Sequence, residues 1–235
     1  MRGVKIMILN FLGRGSVFNI KEGNNSAYIR EDTKLILLDC GENIFERIVS
    51  KNLLDDIKEV HVLITHLDSD HVGSLSSLIY YAYYMRQIVC NVYFPNSDLY
   101  DLLKIQGHMQ GQDYKSNYVD VDTNTFSEFG NIIPIKVEHI ETLNCFGYLL
   151  YIKDKLIWYS GDCKNVSNVI NEYKIDEFYQ DTCLADYEGN VHTSLRVLCE
   201  TIPKHKRNKI YCMHLDCKDL IKKAKDEGFN VVEIN

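Results

Sequence analysis

Short apolar runs rich in Val, Ile and Tyr alternate along the chain with longer stretches whose apolar positions recur at helical spacing. The runs predict ten strands, at Val4–Leu12, Ser26–Arg30, Lys34–Leu38, His61–Thr65, Asn91–Phe94, Ile132–Val137, Gly147–Ile152, Leu156–Tyr159, Lys209–Met213 and Val231–Ile234. The longer stretches predict helices at Asn43–Lys51, Gly73–Arg86, Asp98–Ile105, Val191–Thr201 and Asp216–Glu227. Paired strands are expected to dominate the first half and strand–helix alternation the rest. An α/β (α+β) chain of two sheets with helices outside them would bury all of these faces.

Composition narrows the class. With 235 residues, 46% of them hydrophobic and 25% charged, the chain has the usage of a globular protein large enough to build its own core. Only three prolines occur, and no linker, repeat or low-complexity tract divides it, so residues 1–235 are expected to form one domain. The formal charge of −7 argues against a protein that coats long nucleic acid, which needs many Lys and Arg contacts to phosphates. A small anionic substrate held through a bound cation is compatible with it. No window approaches 18 uninterrupted apolar residues, so no membrane span is expected. The opening MRGVKIMILNFLGRGS looks briefly like a signal peptide, but its apolar run is short and Gly13-Arg14-Gly15 stands where a cleavage site should be. Eight scattered cysteines without a CxxC pair suit reduced thiols in the cytoplasm.

The chemistry is concentrated in Val62-Leu63-Ile64-Thr65-His66-Leu67-Asp68-Ser69-Asp70-His71-Val72-Gly73. An apolar strand runs directly into His66, Asp68, Asp70 and His71, four metal-binding side chains within six positions, and a helix is expected to follow. Crowding carboxylates on one turn is unfavourable unless cations neutralise them. The competing explanation is a polar loop in which Asp70 caps a helix.

This segment resembles the signature of the metallo-β-lactamase superfamily, and other motifs of that family follow in order. Phe11-Leu12-Gly13-Arg14-Gly15-Ser16 and Leu37-Leu38-Asp39-Cys40-Gly41-Glu42 are similar to the opening of its ribonuclease Z-like branch. His139, Tyr159-Ser160-Gly161-Asp162, Val191-His192-Thr193-Ser194 and Met213-His214 match later motifs, so five of the eight histidines fall on motif positions. The resemblance implies a four-layer αββα sandwich and two divalent metal ions, zinc or manganese, with iron or magnesium as further candidates. It places one ion on His66, Asp68 and His139, the other on Asp70, His71 and His214, with Asp162 and a hydroxide bridging them. Asp68 stands where the family usually has histidine. A carboxylate hardens the site toward Mn²⁺, Fe²⁺ or Mg²⁺, and a weakened first site is the competing interpretation.

Carried over in the same way, the catalytic residues are Asp70, His192 as proton donor or phosphoryl clamp, and Asp181 as the group that orients His192. A helix cap for His192 and a solvated loop for Asp181 are the plain alternatives. Asp39 is expected to support a metal ligand, Gly41 to permit a tight turn, and Cys163 to pack without ligating. Cys212 and Cys217 are not expected to share a zinc, and His61, His108 and His205 match no motif. Of Tyr80, Tyr81, Tyr83 and Tyr84, one pair should face the core and the other a partner or the cleft. The segment from Lys104 to Gly111, broken by two glycines, is a candidate flap over the site. About twenty residues separate His139 from Asp162, leaving no room for the arm that grips transfer RNA in that branch. The resemblance therefore favours a cytoplasmic, homodimeric phosphodiesterase for small nucleotides, cyclic nucleotides above all. A lactonase or thioesterase on the same metals, and a binding protein with an impaired first site, are the alternatives.

Overall fold

A computed structural model describes residues 8–127, 129–166 and 168–234. Residues 4–7 of the first predicted strand lie outside this set.

The strands form two mixed sheets of similar design. The first runs, in spatial and chain order, β1 (Asn10–Gly13), β2 (Ser26–Glu31), β3 (Lys34–Leu38), β4 (Glu59–Leu63), β5 (Cys90–Phe94) and β6 (Tyr114–Tyr118). Its first three strands are antiparallel and β3 to β6 are parallel. The second contains β7 (Thr125–Ser127), β8 (Gly130–Lys136), β9 (Phe146–Ile152), β10 (Lys155–Tyr159), β11 (Glu177–Asp181), β12 (Ile210–Met213) and β13 (Asn230–Val231), also in chain order across the sheet. It repeats the scheme, antiparallel from β7 to β10 and parallel thereafter. The expected split into a paired-strand half and an alternating half is therefore replaced by two halves that each do both. Parallel pairs need crossovers. Helices α1 (Ile44–Ser50), α2 (Ser69–Val72), α3 (Leu75–Arg86) and α4 (Asp98–Ile105) supply them in the first half, and α5 (Val169–Glu172), α6 (Leu195–Thr201) and α7 (Asp219–Asp226) in the second.

Strand alternation sorts the side chains into layers. In β3, Leu35 and Leu37 pack with Ile44, Ile48, Leu78 and Ile79 of α1 and α3. Their neighbours Ile36 and Leu38 turn inward, to Tyr148, Leu150, Tyr159 and Met213 of the second sheet. On the far side, Phe178, Ile210 and Cys212 pack under Leu198 of α6 and Leu220 of α7. The order helix, sheet, sheet, helix is the one expected. Within α3 the buried residues Leu75, Leu78, Ile79 and Ala82 keep helical spacing.

Several predicted boundaries shift. Helix α3 starts at Leu75, α6 at Leu195 and α7 at Asp219, each later than its apolar pattern, while β4 starts at Glu59. Strands β6, β7 and β11 were not predicted. The four tyrosines also differ from expectation. None is fully buried; Tyr81 packs at the edge of the core against Phe45, Tyr80 stacks on His108, and Tyr84 is exposed. The segment weighed as a flap is tied down, because buried His108 bonds both Ser76 (2.7 Å) and Asp113 (2.7 Å).

Candidate metal centre

The site lies at the C-terminal ends of the parallel strands, where the loops of both sheets meet. Past β4 the chain extends through Thr65 to His66, then turns. Asp68 occupies the N-cap position of α2, yet its side chain makes no capping bond. It is instead 3.3 Å from His66 Nε2 and 3.4 Å from His139 Nε2. One turn of helix then carries Asp70 and His71 back toward the same point. The helix-cap explanation of this motif fails on that geometry, since neither carboxylate is used as a cap.

Three residues of the second half, His139, Asp162 and His214, complete the cluster. Asp162 Oδ1 lies 3.1 Å from His71 Nε2, and Asp162 Oδ2 lies 3.3 Å from His214 Nε2. His214 Nε2 is also 3.2 Å from Asp70 Oδ2. Toward the other group, Asp162 Oδ2 is 3.8 Å from His66 Nε2 and 3.9 Å from His139 Nε2. The donor atoms thus form one set of His66, Asp68 and His139 and a second of Asp70, His71, Asp162 and His214, with Asp162 facing both, while a third grouping of Asp162, Asp181, His192 and His214 overlaps the second. All seven residues named from the sequence as ligands are brought together.

Backbone and side-chain partners fix each imidazole. His139 Nδ1 lies 3.0 Å from the Val191 carbonyl, which can only accept, so Nδ1 carries a proton and Nε2 is the nitrogen that faces the cluster. His71 Nδ1 is held at 2.9 Å by Asp39, whose carboxylate also takes the Thr65 N–H and hydroxyl and the Tyr159 hydroxyl. Asp39 adopts a φ of 64°, a left-handed conformation that aspartate tolerates. Gly41 is required for a reason other than a turn: a Cβ there would stand 2.0 Å from the Asp70 carbonyl oxygen. Gly161 combines both reasons, with a φ of 57° and a would-be Cβ 2.8 Å from Thr65.

Asp181 is the residue whose role changes most. It is fully buried at the end of β11, which excludes the solvated-loop alternative. One oxygen lies 2.8 Å from His192 Nδ1 and the other 3.3 Å from His214 Nδ1, and the Cys163 N–H also donates to it. His192 precedes α6, whose cap is Ser194, so His192 is not a capping residue. It is a quarter exposed and its Nδ1 lies 3.8 Å from Asp162. Cys163 is buried and accepts from Gln180 Nε2, a packed thiol as expected. Cys212 and Cys217 join no ligand cluster among the described residues. Asn25, which accepts the His214 N–H and donates to Tyr159, was not anticipated, and only its place in the Asn24-Asn25 pair before β2 hints at it.

Charge is unevenly spread over the cluster. Burial, helped by the positive charge of His71, keeps His66 below its ordinary pKa and therefore neutral. Burial also opposes charge on His71, but the Asp162, Asp39 and Asp70 carboxylates outweigh it and raise the group well above 6.5. His192 is raised in the same manner, chiefly by Asp181 acting against burial. Bonds from His139 and His66 hold Asp68 far below the usual carboxylate range. Among the described residues, the buried His66 Nε2, His71 Nε2 and Asp162 Oδ1 have no hydrogen-bond partner. Unsatisfied buried polar atoms are costly. Imidazole nitrogens and carboxylate oxygens converging in this way form a donor set that suits divalent cations.

A family model described as "Anti-Pycsar protein Apyc1" matches residues 7–234. The anti-Pycsar protein Apyc1 of Paenibacillus sp. (strain J14) is 29% identical over 222 residues, covering 88% of each chain. That of Bacillus phage BSP38 is 24% identical over 235 residues, again covering 88% of each. Among solved structures, the metallo-β-lactamase fold protein YhfI from Bacillus subtilis superposes with a TM-score of 0.75 at 15% identity, over 97% of this chain and 95% of that one.

Proposed function

The chain belongs to the anti-Pycsar Apyc1 family, hydrolases of the metallo-β-lactamase fold, and from that premise we propose that it is a metal-dependent phosphodiesterase that opens cyclic nucleotides. The observation that carries this is His192, a protonatable imidazole held by buried Asp181 beside Asp162, on a wall open to solvent. Hydrolysis of a cyclic phosphodiester adds water to phosphorus and breaks one P–O bond, and the departing alkoxide must gain a proton. His192, whose pKa Asp181 raises against burial, would give it. Asp181 then steadies the ring and holds the tautomer that returns the proton. His66, Asp68 and His139 would hold one divalent ion, and Asp70, His71 and His214 a second, with Asp162 between them. When bound, such ions lower the pKa of a water and neutralise charge on the phosphoryl oxygens. Each set joins two histidines to one aspartate, with Asp162 facing both, and such mixed nitrogen and oxygen donors suit zinc, manganese or iron.

The same reading covers the rest of the molecule. Both sheets share one core, which supports a single domain, and the net charge of −7 favours a small substrate over long nucleic acid. No helix among the described residues is long and apolar enough to cross a membrane, and all eight cysteines are free, which supports a cytoplasmic setting. Exposed Tyr84, Met85 and Ile105 on α3 and α4 support a homodimer.

Purified protein loaded with Mn²⁺ or Zn²⁺ should hydrolyse cyclic mononucleotides and bis(p-nitrophenyl) phosphate, and bind two metal equivalents by elemental analysis. Turnover of a lactone or thioester alone would overturn the proposal.

A further inference from the structure

Two aromatic side chains outside the metal cluster stand in water without a structural reason. Phe18 is 91% exposed and Tyr187 65%. They line one cavity of about 210 Å³, together with Asn190, Asp216 and the two histidines His192 and His214. We propose that Phe18 and Tyr187 are the two walls of a nucleobase-stacking subsite that holds the substrate's ring while its phosphate lies at the metal cluster.

Their loops are anchored, although their tips are bare. The Phe18 loop is fastened to the residue after His214: the Ser16 N–H (3.0 Å) and the Asn19 side chain (2.8 Å) both donate to the Leu215 carbonyl, and the Leu215 N–H returns a bond to Arg14 (2.7 Å). The Tyr187 loop is fastened one residue further on, where the Asp216 carboxylate takes the Leu184 and Ala185 N–H groups at 3.0 Å. Asn190 closes it by donating to the Ala185 carbonyl at 2.8 Å. Both rings are thereby referenced to His214, a residue of the reaction centre. Asn190 and Asp216, the amide and carboxylate in the cavity wall, are already committed to these backbone bonds. The aromatic faces are what the cavity offers, and a flat aromatic ring is what such faces hold. The identity of that ring as a nucleobase rests on the phosphodiesterase reading above.

The test compares wild type with Phe18→Ala and Tyr187→Ala, loaded with Mn²⁺, on a purine 3′,5′-cyclic mononucleotide. Each variant should raise KM roughly 5- to 150-fold with little change in kcat and with metal content intact. Methyl riboside 3′,5′-cyclic phosphate, which has no base, should be cut equally by all three. Phe18→Tyr and Tyr187→Phe should restore the wild-type KM. Saturation-transfer NMR on the metal-free protein with adenosine 5′-monophosphate supplies a readout independent of turnover. Base protons should be saturated by wild type and not by the double alanine variant. Unchanged KM and unchanged base saturation overturn the subsite, and so does an effect confined to one ring. If wild type cuts no cyclic nucleotide, the phosphodiesterase proposal fails, and the saturation result alone then supports or overturns the subsite.

Discussion

One carboxylate, Asp181, holds two imidazoles, and this separates metal binding from proton transfer at the level of single residues. His192→Ala removes a proton donor but no atom of the two donor sets around His66 and His71. We expect two bound metal equivalents and a rate lower by about 10²–10⁴-fold, read from kcat and elemental analysis. Asp162→Ala, which faces both sets, should lose metal and activity together. Protons and metal compete for the histidines. In the metal-free protein burial opposes charge on His214, but Asp162, Asp181 and Asp70 raise it from 6.5 to about 10. A group raised on folding adds stability that is full below 6.5 and is lost as pH rises from there to about 10. The lowered carboxylate of Asp162 adds stability above 3.8 that is lost in acid. Metal-free protein should therefore be most stable between these limits, while metal affinity should rise steadily from pH 6.5 to 10 as His214 gives up its proton. Titration with Mn²⁺ across that range checks it; affinity that is flat or falls with pH contradicts it. The ligands themselves were legible because His and Asp crowd into so few positions after a strand. The pairing of Asp181 with His192 was legible through the family resemblance, but its second partner, His214, was not, since the two are far apart in the chain and only the sheet brings them together.

At the scale of elements, the strand that carries Asp181 is also one of the three that were missed. Glu177-Phe178-Tyr179-Gln180-Asp181 has polar residues at both ends and reads as surface, yet all five residues are buried. Several of their polar groups find partners outside the strand: the Glu177 carboxylate takes the Ile8 N–H, and Gln180 donates to Cys163 and Thr193. Those partners are long-range, so no local pattern announces them. The same holds for late helix starts, where apolar residues before α6 and α7 pack in loops. Short-range approach also decides how α2 is seated. Gly41→Ala would drive a methyl group into the Asp70 carbonyl, and the turn bearing Asp70 and His71 would have to move. We expect a loss of about 1–3 kcal/mol, seen as a lower melting temperature, together with weaker metal binding. A variant that melts and binds metal like wild type would show that the two segments are free to separate.

For the whole molecule, the sheets bring different halves of one cluster: His66, Asp68, Asp70 and His71 from the first, His139, Asp162, Asp181 and His214 from the second. Bound metal is then a cross-link between layers as well as a reagent. Stripping it with a chelator should lower the melting temperature, by about 4 kcal/mol of stability for an ion present at a thousand times its dissociation constant. A melting temperature indifferent to EDTA would place the ions outside the seam. The layered order was foreseeable from alternating apolar runs, whereas the near-repetition of one strand plan in both halves was not, because the two share no visible sequence repeat. The seam has one more consequence, for the order in which the protein is made. Its ligands are spread from residue 66 to residue 214 of 235. A chain emerging from the ribosome carries the crowded acids of the first half long before the histidine that completes their charge balance. Until β12 is in place there is no finished centre, so a chain not yet synthesised through His214 lacks the full set of donors.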